Sequence, residues 1–508
     1  MFDSIAEKMV DSLGEVTYIL PQAIVLVAAL LSPLLFYLTK RGKVPAYVSF
    51  VLLIAAAAIT ALLMHTKTYT AAAGVGPAFG IFEFTAFSGL MSLLFLAVAG
   101  LTVFVSPVHA ETTKHQGEYY ALICAATAGM MFAAASNSLL GIFVSVELVS
   151  ITSYATVALK KNDPRASEAA VKYLLIGAFS TALTLYGMSM IYGSLGTITL
   201  SELGAALNGE ISWVLLIGVV CLIAGYGFKI AAVPFHSWAP DVYEGASAPV
   251  SGFLATASKK MGFAVLFKIF MALFVIGVAI QWEPIQYIFA ILAAITMTVG
   301  NMVAISQTNI KRMLAYSSIA QAGYLMIALA VMSQYAVTGA LFHMFTHVVM
   351  KGGAFIIVAA LITAGLGEQI SDYRGLAKRA PIMAAAMMLC LFSLAGIPPL
   401  AGFTSKFILF SSAIYVDGAV DTTWLWLILL AVLNSAMSLY YYARVVKTMY
   451  IETSDDVYAE DGSVSKLKVH PIFMIAVVLC VIGVIVMGVY PEPILKLCET
   501  ASTALFKF

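Results

Sequence analysis

Charge is what this chain lacks. Only 10% of its 508 residues are Asp, Glu, Lys or Arg, against about 25% in an ordinary soluble domain. Cysteine is scarce too: Cys124, Cys221, Cys390, Cys480 and Cys498 lie far apart, without a CxxC or other ligand spacing. No iron–sulfur cluster, zinc site or disulfide framework is therefore expected. The sequence also lacks GxGxxG and P-loop motifs, so the chain is not expected to bind a redox cofactor or to hydrolyse a nucleotide. The opening "FDSIAEKMVDSLGEV" has no basic leader and is expected to stay in the mature protein.

What is plentiful is hydrocarbon. Hydrophobic residues make up 62% of the chain, in recurrent runs of about 20 residues, enough to cross roughly 30 Å of lipid. A barrel would instead alternate over segments of about 10 residues. The expected fold is an all-α polytopic membrane protein with about 14 spans, near 17–37, 45–64, 86–105, 119–135, 138–159, 170–192, 213–236, 249–278, 284–304, 315–332, 335–364, 381–415, 423–443 and 471–489. With the N-terminus outside, one set of loops collects most of the basic residues: Lys40, Arg41, Lys43, Lys114, Lys160, Lys161, Arg165, Lys311, Arg312, Arg374, Lys378, Arg379, Arg444, Lys447, Lys466 and Lys468. The opposite loops hold Lys67. Basic residues concentrate on the cytoplasmic side, so both termini are expected outside a prokaryotic cell membrane. The loop "YIETSDDVYAEDGSVSKLKVH" reads as a solvated connector.

The basic residues left inside the spans are Lys172, Lys229, Lys259, Lys260, Lys268, Lys351 and Lys406; none is arginine. Arginine stays charged at any working pH, whereas a desolvated lysine can give up its proton. A charge at the bilayer centre costs at least about 2.5–3.5 kcal/mol and marks ion or proton paths. Lys172 opens its span and Lys268 lies late in another, so both are expected to snorkel to the interface. Lys259 and Lys260 are neighbours, about 100° apart on a helix, so at most one points squarely inward. Lys229, Lys351 and Lys406 lie deep. Glu147, in "GIFVSVELVSITSY", is the one acid placed deep in a span, and a lysine partner would keep it ionised. Such a pair is a switch: paired, the lysine holds its proton; separated, it can pass it on.

Two spans look broken. "AAVPFHSWAP", which holds His236, and "SLAGIPPLAGFTSKF" place Pro and Gly in apolar stretches, each near a deep lysine, Lys229 or Lys406. Irregular backbone at membrane depth is tolerated where it is buried in protein or lines a cavity. Broken helices at matching places indicate inverted repeats with an ion site between them. Here spans 7 and 12 match if the repeats are spans 4–8 and 9–13. The expected parts are residues 1–118, with the first three spans; 119–278 and 279–450, the two five-helix repeats; and 451–508, a cytoplasmic loop and last helix. In "FHMFTHVVMKGGAF", His343, His347 and Lys351 follow at i, i+4 steps. Each step turns about 40° past a full turn and rises about 6 Å, so the three form one stripe. They make a candidate proton relay, with His236 and Lys260 as further members. No carboxylate or third ligand accompanies the histidines, so no metal site is expected.

"PFHSWAPDVYEGASAPVSGFLATASKK", "SQTNIKRMLAYSSIAQAGYL" and "RGLAKRAPIMAAAMMLCLFSLAGIPPLAGFTSKF" closely resemble subunit N of complex I-type respiratory dehydrogenases. That subunit is one of three antiporter-like subunits related to Mrp-type cation/proton antiporters. The resemblance covers at least residues 119 to 450. It implies that Glu147 is the fifth-span glutamate paired with Lys229, that Lys259 is the central lysine of the eighth span, and that Lys406 is the exit-side lysine of the twelfth. It implies proton translocation by a non-redox subunit of a quinone oxidoreductase, with no cofactor in this chain and with flavin and iron–sulfur clusters in partner subunits. The implied partners are other membrane and peripheral subunits, antiporter-like ones among them, and lipid, with no nucleic acid. "PDVYEG", Lys406 where the M-type relative has glutamate, and a chain ending soon after Tyr490 without the L-type lateral helix all match the N-type. Lys351 and its histidines look more like the L-type, M-type or Mrp pattern. That departure points to a divergent lineage, such as archaeal relatives that oxidise a reduced deazaflavin and reduce a quinone or methanophenazine. The alternatives are a subunit of an Mrp-type antiporter, and a scaffold with relic lysines.

Overall fold

The computed structural model describes residues 2–68, 76–109, 115–207, 211–275, 283–416, 419–453, 457 and 464–506. Lys114, Lys507, the expected boundary between residues 278 and 279 and most of the loop 454–463 lie outside them. Helices α1 (Phe2–Thr39), α2 (Lys43–Leu63) and α3 (Ala86–Val105) come first, with a short hairpin, β1 (Gly76–Ala78) and β2 (Phe82–Phe84), between the last two. Next are α4 (Gln116–Ala135), α5 (Leu139–Val157), α6 (Pro164–Leu195), the short α7 (Leu200–Ala206), α8 (Trp213–Ile230) and α9 (Trp238–Gly245). Then α10 (Ala248–Phe253) runs through a π-helical turn, Leu254–Ser258, into α11 (Lys259–Phe274). The second half contains α12 (Glu283–Ser306), α13 (Ile310–Val331), α14 (Gln334–Thr363), α15 (Leu376–Arg379), α16 (Pro381–Ala395) and α17 (Ala401–Ser411). It continues through a minimal hairpin, β3 (Tyr415–Val416) and β4 (Ala419–Val420), into α18 (Leu425–Tyr450), α19 (Pro471–Val489) and α20 (Glu492–Leu505).

Among the described residues, 12 helices are long and apolar enough to cross a membrane. The composite α10–α11 and the split α16–α17 stand where the other two spans were expected. Helix starts follow local chemistry. Thr85 and Ser88 form a capping box on α3, Asp163 caps α6 ahead of Pro164, and Asn309 Oδ1 accepts from the backbone N–H groups of Lys311 and Arg312 at α13. Each satisfies donors that a helix start leaves open.

Packing repeats across the two halves. α4 lies on α5, α5 on α6, and α6 on both α8 and α9; α12 lies on α13, α13 on α14, and α14 on both α16 and α17. The α12–α13 contact is backbone-close because of two glycines. A Cβ on Gly300 would fall 2.6 Å from the Ala320 nitrogen, and one on Gly323 2.5 Å from that of Met297. Small residues serve this purpose wherever membrane helices pack tightly. α13 and α14 are almost wholly interior, whereas α1 and α2 keep broad apolar faces outward, with Leu30 at 77% exposure. Spans 7 and 12 are discontinuous, as expected: α8 and α9 are separated by residues 231–237, α16 and α17 by 396–400.

Candidate functional site

Both breaks leave helix-end carbonyls that need donors. At the first, Ala231 turns left-handed (φ 55°), and the Trp238 indole donates to the Phe228 carbonyl at 2.9 Å. At the second, Lys406 reaches back from α17 to the end of α16, donating to the carbonyls of Leu394 (2.8 Å) and Ala395 (3.2 Å) and to Ser435 Oγ (2.9 Å). A cation suits a helix C-terminus. Its Nζ also sits 4.9 Å from the centre of the Tyr324 ring. A cavity of about 450 Å³ opens beside it, lined mainly by apolar residues of α17 and α18.

Lys229 lies in the last turn of α8, buried, and donates to Ser150 Oγ of α5. Glu147, one helical turn before Ser150, accepts from Thr181 Oγ1 at 2.8 Å. The expected Glu147–Lys229 pair is thus not in ion-pair contact: each group rests on a hydroxyl, while Glu147 remains within electrostatic range of the ammonium. Helix α11 packs against this turn at Gly262, where a Cβ would come within 2.9 Å of Ile230 Cγ2 and 3.3 Å of Lys229 Cβ. One turn earlier, Lys259 follows directly on the π-helical turn. Its buried Nζ has no hydrogen-bond partner among the described residues and lies 5.5 Å from the Tyr243 ring centre. Lys260 is equally buried, within electrostatic range of His343 and His347. Both neighbours therefore lie inside the protein. The π turn, a frequent companion of functional sites, has no signature in the sequence.

The stripe on α14 is as expected, and its partners are new. His343 Nε2 faces Gln321 Oε1 at 3.0 Å, and Nδ1 faces Ser405 Oγ at 2.9 Å. The Gln321 amide is oriented by its own Nε2 donating to the Leu394 carbonyl at 3.2 Å, so its oxygen points to the histidine. Against that oxygen His343 donates from Nε2. That same carbonyl takes the Lys406 ammonium. His347, its ring centre 6.2 Å from that of His343, has no partner on either nitrogen among the described residues. Lys351 donates to Ser317 Oγ (2.5 Å) and to the Leu314 carbonyl (3.1 Å), and Ser317 bonds on to the Tyr442 hydroxyl. Lys351 is within electrostatic range of Lys259, Lys260 and Lys406. His236, half-buried in the first break, is within range of Lys259.

The two lysines expected to snorkel behave differently from each other. Lys172 is 43% exposed and pairs with Glu168 (2.8 Å) and Asp241 (2.7 Å). Lys268 is buried instead, donating to the Ala134 and Ser136 carbonyls at the end of α4. Capping a helix end is its alternative to reaching water. Sequence reasoning also missed Ser150, Thr181, Ser317, Gln321, Ser405 and Ser435. Their signal was small polar residues within apolar spans, as in "VELVSITSY" and "AYSSIAQAGYL".

A family profile described as NADH:quinone oxidoreductase/Mrp antiporter, TM, matches residues 136–438, a range that runs from before Glu147 to beyond Lys406. The chain belongs to that family. It is 41% identical over 436 residues to F(420)H(2) dehydrogenase subunit N of Methanosarcina mazei, covering 83% of this chain and 85% of the relative. It is 40% identical to NADH-quinone oxidoreductase subunit N of Moorella thermoacetica, covering 85% and 88%. Among solved structures, a chain of respiratory complex I from Thermus thermophilus superposes with a TM-score of 0.77 at 28% identity, covering 94% and 98%. A chain of the Mrp complex from Dietzia sp. shares the fold at a TM-score of 0.83 and 20% identity, covering 96% and 98%.

Proposed function

We propose that this chain is the proton-translocating membrane subunit of a complex I-type respiratory dehydrogenase. Protons move along a buried Glu–Lys–His chain, driven by electron transfer to a quinone or methanophenazine in other subunits, which supply the flavin and iron–sulfur redox chemistry. The observation that carries this reading is the line from Glu147 and Lys229, past Lys259 and Lys260, to His347, Lys351, His343 and Lys406. All these lysines and histidines are buried, and Lys229, Lys351, His343 and Lys406 rest on hydroxyls, amides and carbonyls rather than on carboxylates. Such partners accept from an ammonium without pinning it in an ion pair. Movement of Glu147 toward or away from Lys229 then decides whether that lysine holds its proton. Lys259 and His347, buried with no hydrogen-bond partner among the described residues, are where a water or a shifted side chain bridges the two sets. His343, already donating to Gln321, takes a proton at Nδ1 and hands it toward Lys406.

The chain is read as lying in a prokaryotic cell membrane with both termini outside, among other antiporter-like subunits. The Mrp-type reading has the shared fold in its favour, but relatives at about 40% identity over most of the chain are N subunits. In vesicles carrying the assembled complex, checked on a native gel, Lys229→Ala and Glu147→Gln are expected to abolish donor-driven proton uptake. Unchanged uptake per electron in Lys229→Ala would overturn the reading. Sodium or potassium exchange with no electron donor present would favour the antiporter instead.

A further inference from the structure

The two halves are joined near the start of α13 by a cluster of charges that the proton path does not use. Helix α9 ends in "PDVYEG" and is the second part of the discontinuous span that carries Lys229. Asp241 on α9 takes two cations from different helices: Lys172 of α6 at 2.7 Å, and Arg312 of α13 at 2.7 Å. The same Arg312 nitrogen also reaches Glu244 at 2.8 Å. Beside it Lys311, 1% exposed, donates to the Ala246 carbonyl that follows α9 and pairs with Glu368 at 2.5 Å. Asn309 touches both Glu244 and Glu368.

Lys311 and Arg312 occupy the first turn of α13, the helix end where a cation is disfavoured by the dipole. A local preference overridden twice in succession calls for a compensating gain elsewhere. The compensation is visible: Arg312 leaves its own helix to grip α9, and Lys311 holds the carbonyl just past the end of α9 and pairs with Glu368. One end of α9 is therefore held by α13, while the other end follows the break beside Lys229. Further along, α13 carries Ser317 and Gln321, which hold Lys351 and His343.

We propose that Asp241, Glu244, Lys311 and Arg312 form a charge clamp that transmits movement of the broken Lys229 helix to α13, and so couples the first set of titratable groups to the second. These are positioning residues, and the inference rests on the proton-translocation reading. The clamp gives contact-by-contact continuity between two sites.

The test measures donor-driven proton uptake per assembled complex in vesicles for Arg312→Gln, Arg312→Lys and Lys229→Ala. Arg312→Gln is expected to lower uptake about fivefold, within the range of coupling mutations. Arg312→Lys, which keeps the charge, is expected to recover part of the loss. A merely structural role gives normal uptake per assembled complex with a lower melting temperature, and that result overturns the clamp. Full uptake in Lys229→Ala would instead overturn the functional reading beneath it. If Arg312→Gln does not assemble, Asp241→Asn carries the same expectation. Failure of both to assemble would assign the cluster to folding and refute the proposal.

Discussion

At the scale of single residues, the choice of lysine over arginine in the interior is the most informative feature. Lys406 satisfies two carbonyls at the end of α16 and a serine, contacts a guanidinium could also make. What arginine cannot do is release the proton. Lys406→Arg is therefore expected to assemble and yet to lose nearly all proton uptake, measured in the same vesicles. Uptake near the wild-type level would show that Lys406 is only a helix cap.

Glu83, on the hairpin strand β2, makes a second case. Burial pushes its carboxyl above the usual value of 4.5, opposed by the nearby Lys268 ammonium and by the Asn137 amide, which donates at 2.5 Å. The folded state thus binds a proton more tightly than the unfolded chain does. Stability from this group is present at low pH and is lost as pH rises from the ordinary carboxylate range through the raised value. Thermal unfolding of the solubilised complex is expected to show that decline with rising pH, and Glu83→Gln is expected to flatten it. A decline equally steep in Glu83→Gln would place its origin elsewhere.

At the scale of elements, the interior is built by helices that approach through glycine and break at proline-rich stretches. Gly323→Ala would set a Cβ 2.5 Å from the Met297 backbone nitrogen, forcing α12 and α13 apart at a cost of about 1–3 kcal/mol. Gly193→Ala, late in α6 with nothing within 4 Å, is the control, expected to be neutral or stabilising by up to about 1 kcal/mol. Melting temperatures of the two assembled variants compare them directly, and equal values would refute the close-packing account. The breaks were legible because Pro234, Pro398 and Pro399 interrupt apolar runs beside a lysine. The π turn before Lys259 was not, since "LATAS" carries no residue that demands it. α20 was also missed: it is short and amphipathic, and it is recognised as a helix by its packing on α3 and α14.

For the whole molecule, the ionisable residues placed within the spans were legible and their partners were not. Hydropathy and the one-sided loops determined a polytopic helical protein, because hydrocarbon admits long apolar helices and penalises every charge within them. The same penalty made Glu147, Lys229, Lys351 and Lys406 stand out from the apolar runs around them. Only the tertiary structure decided that Lys229 rests on Ser150 rather than on Glu147, that Lys268 caps α4 instead of snorkelling, and that α13 joins the two halves. These facts depend on which side chains meet from segments far apart in the chain. Hydropathy, period and spacing describe one segment at a time, and a hydroxyl becomes a lysine's partner only when another helix brings it there.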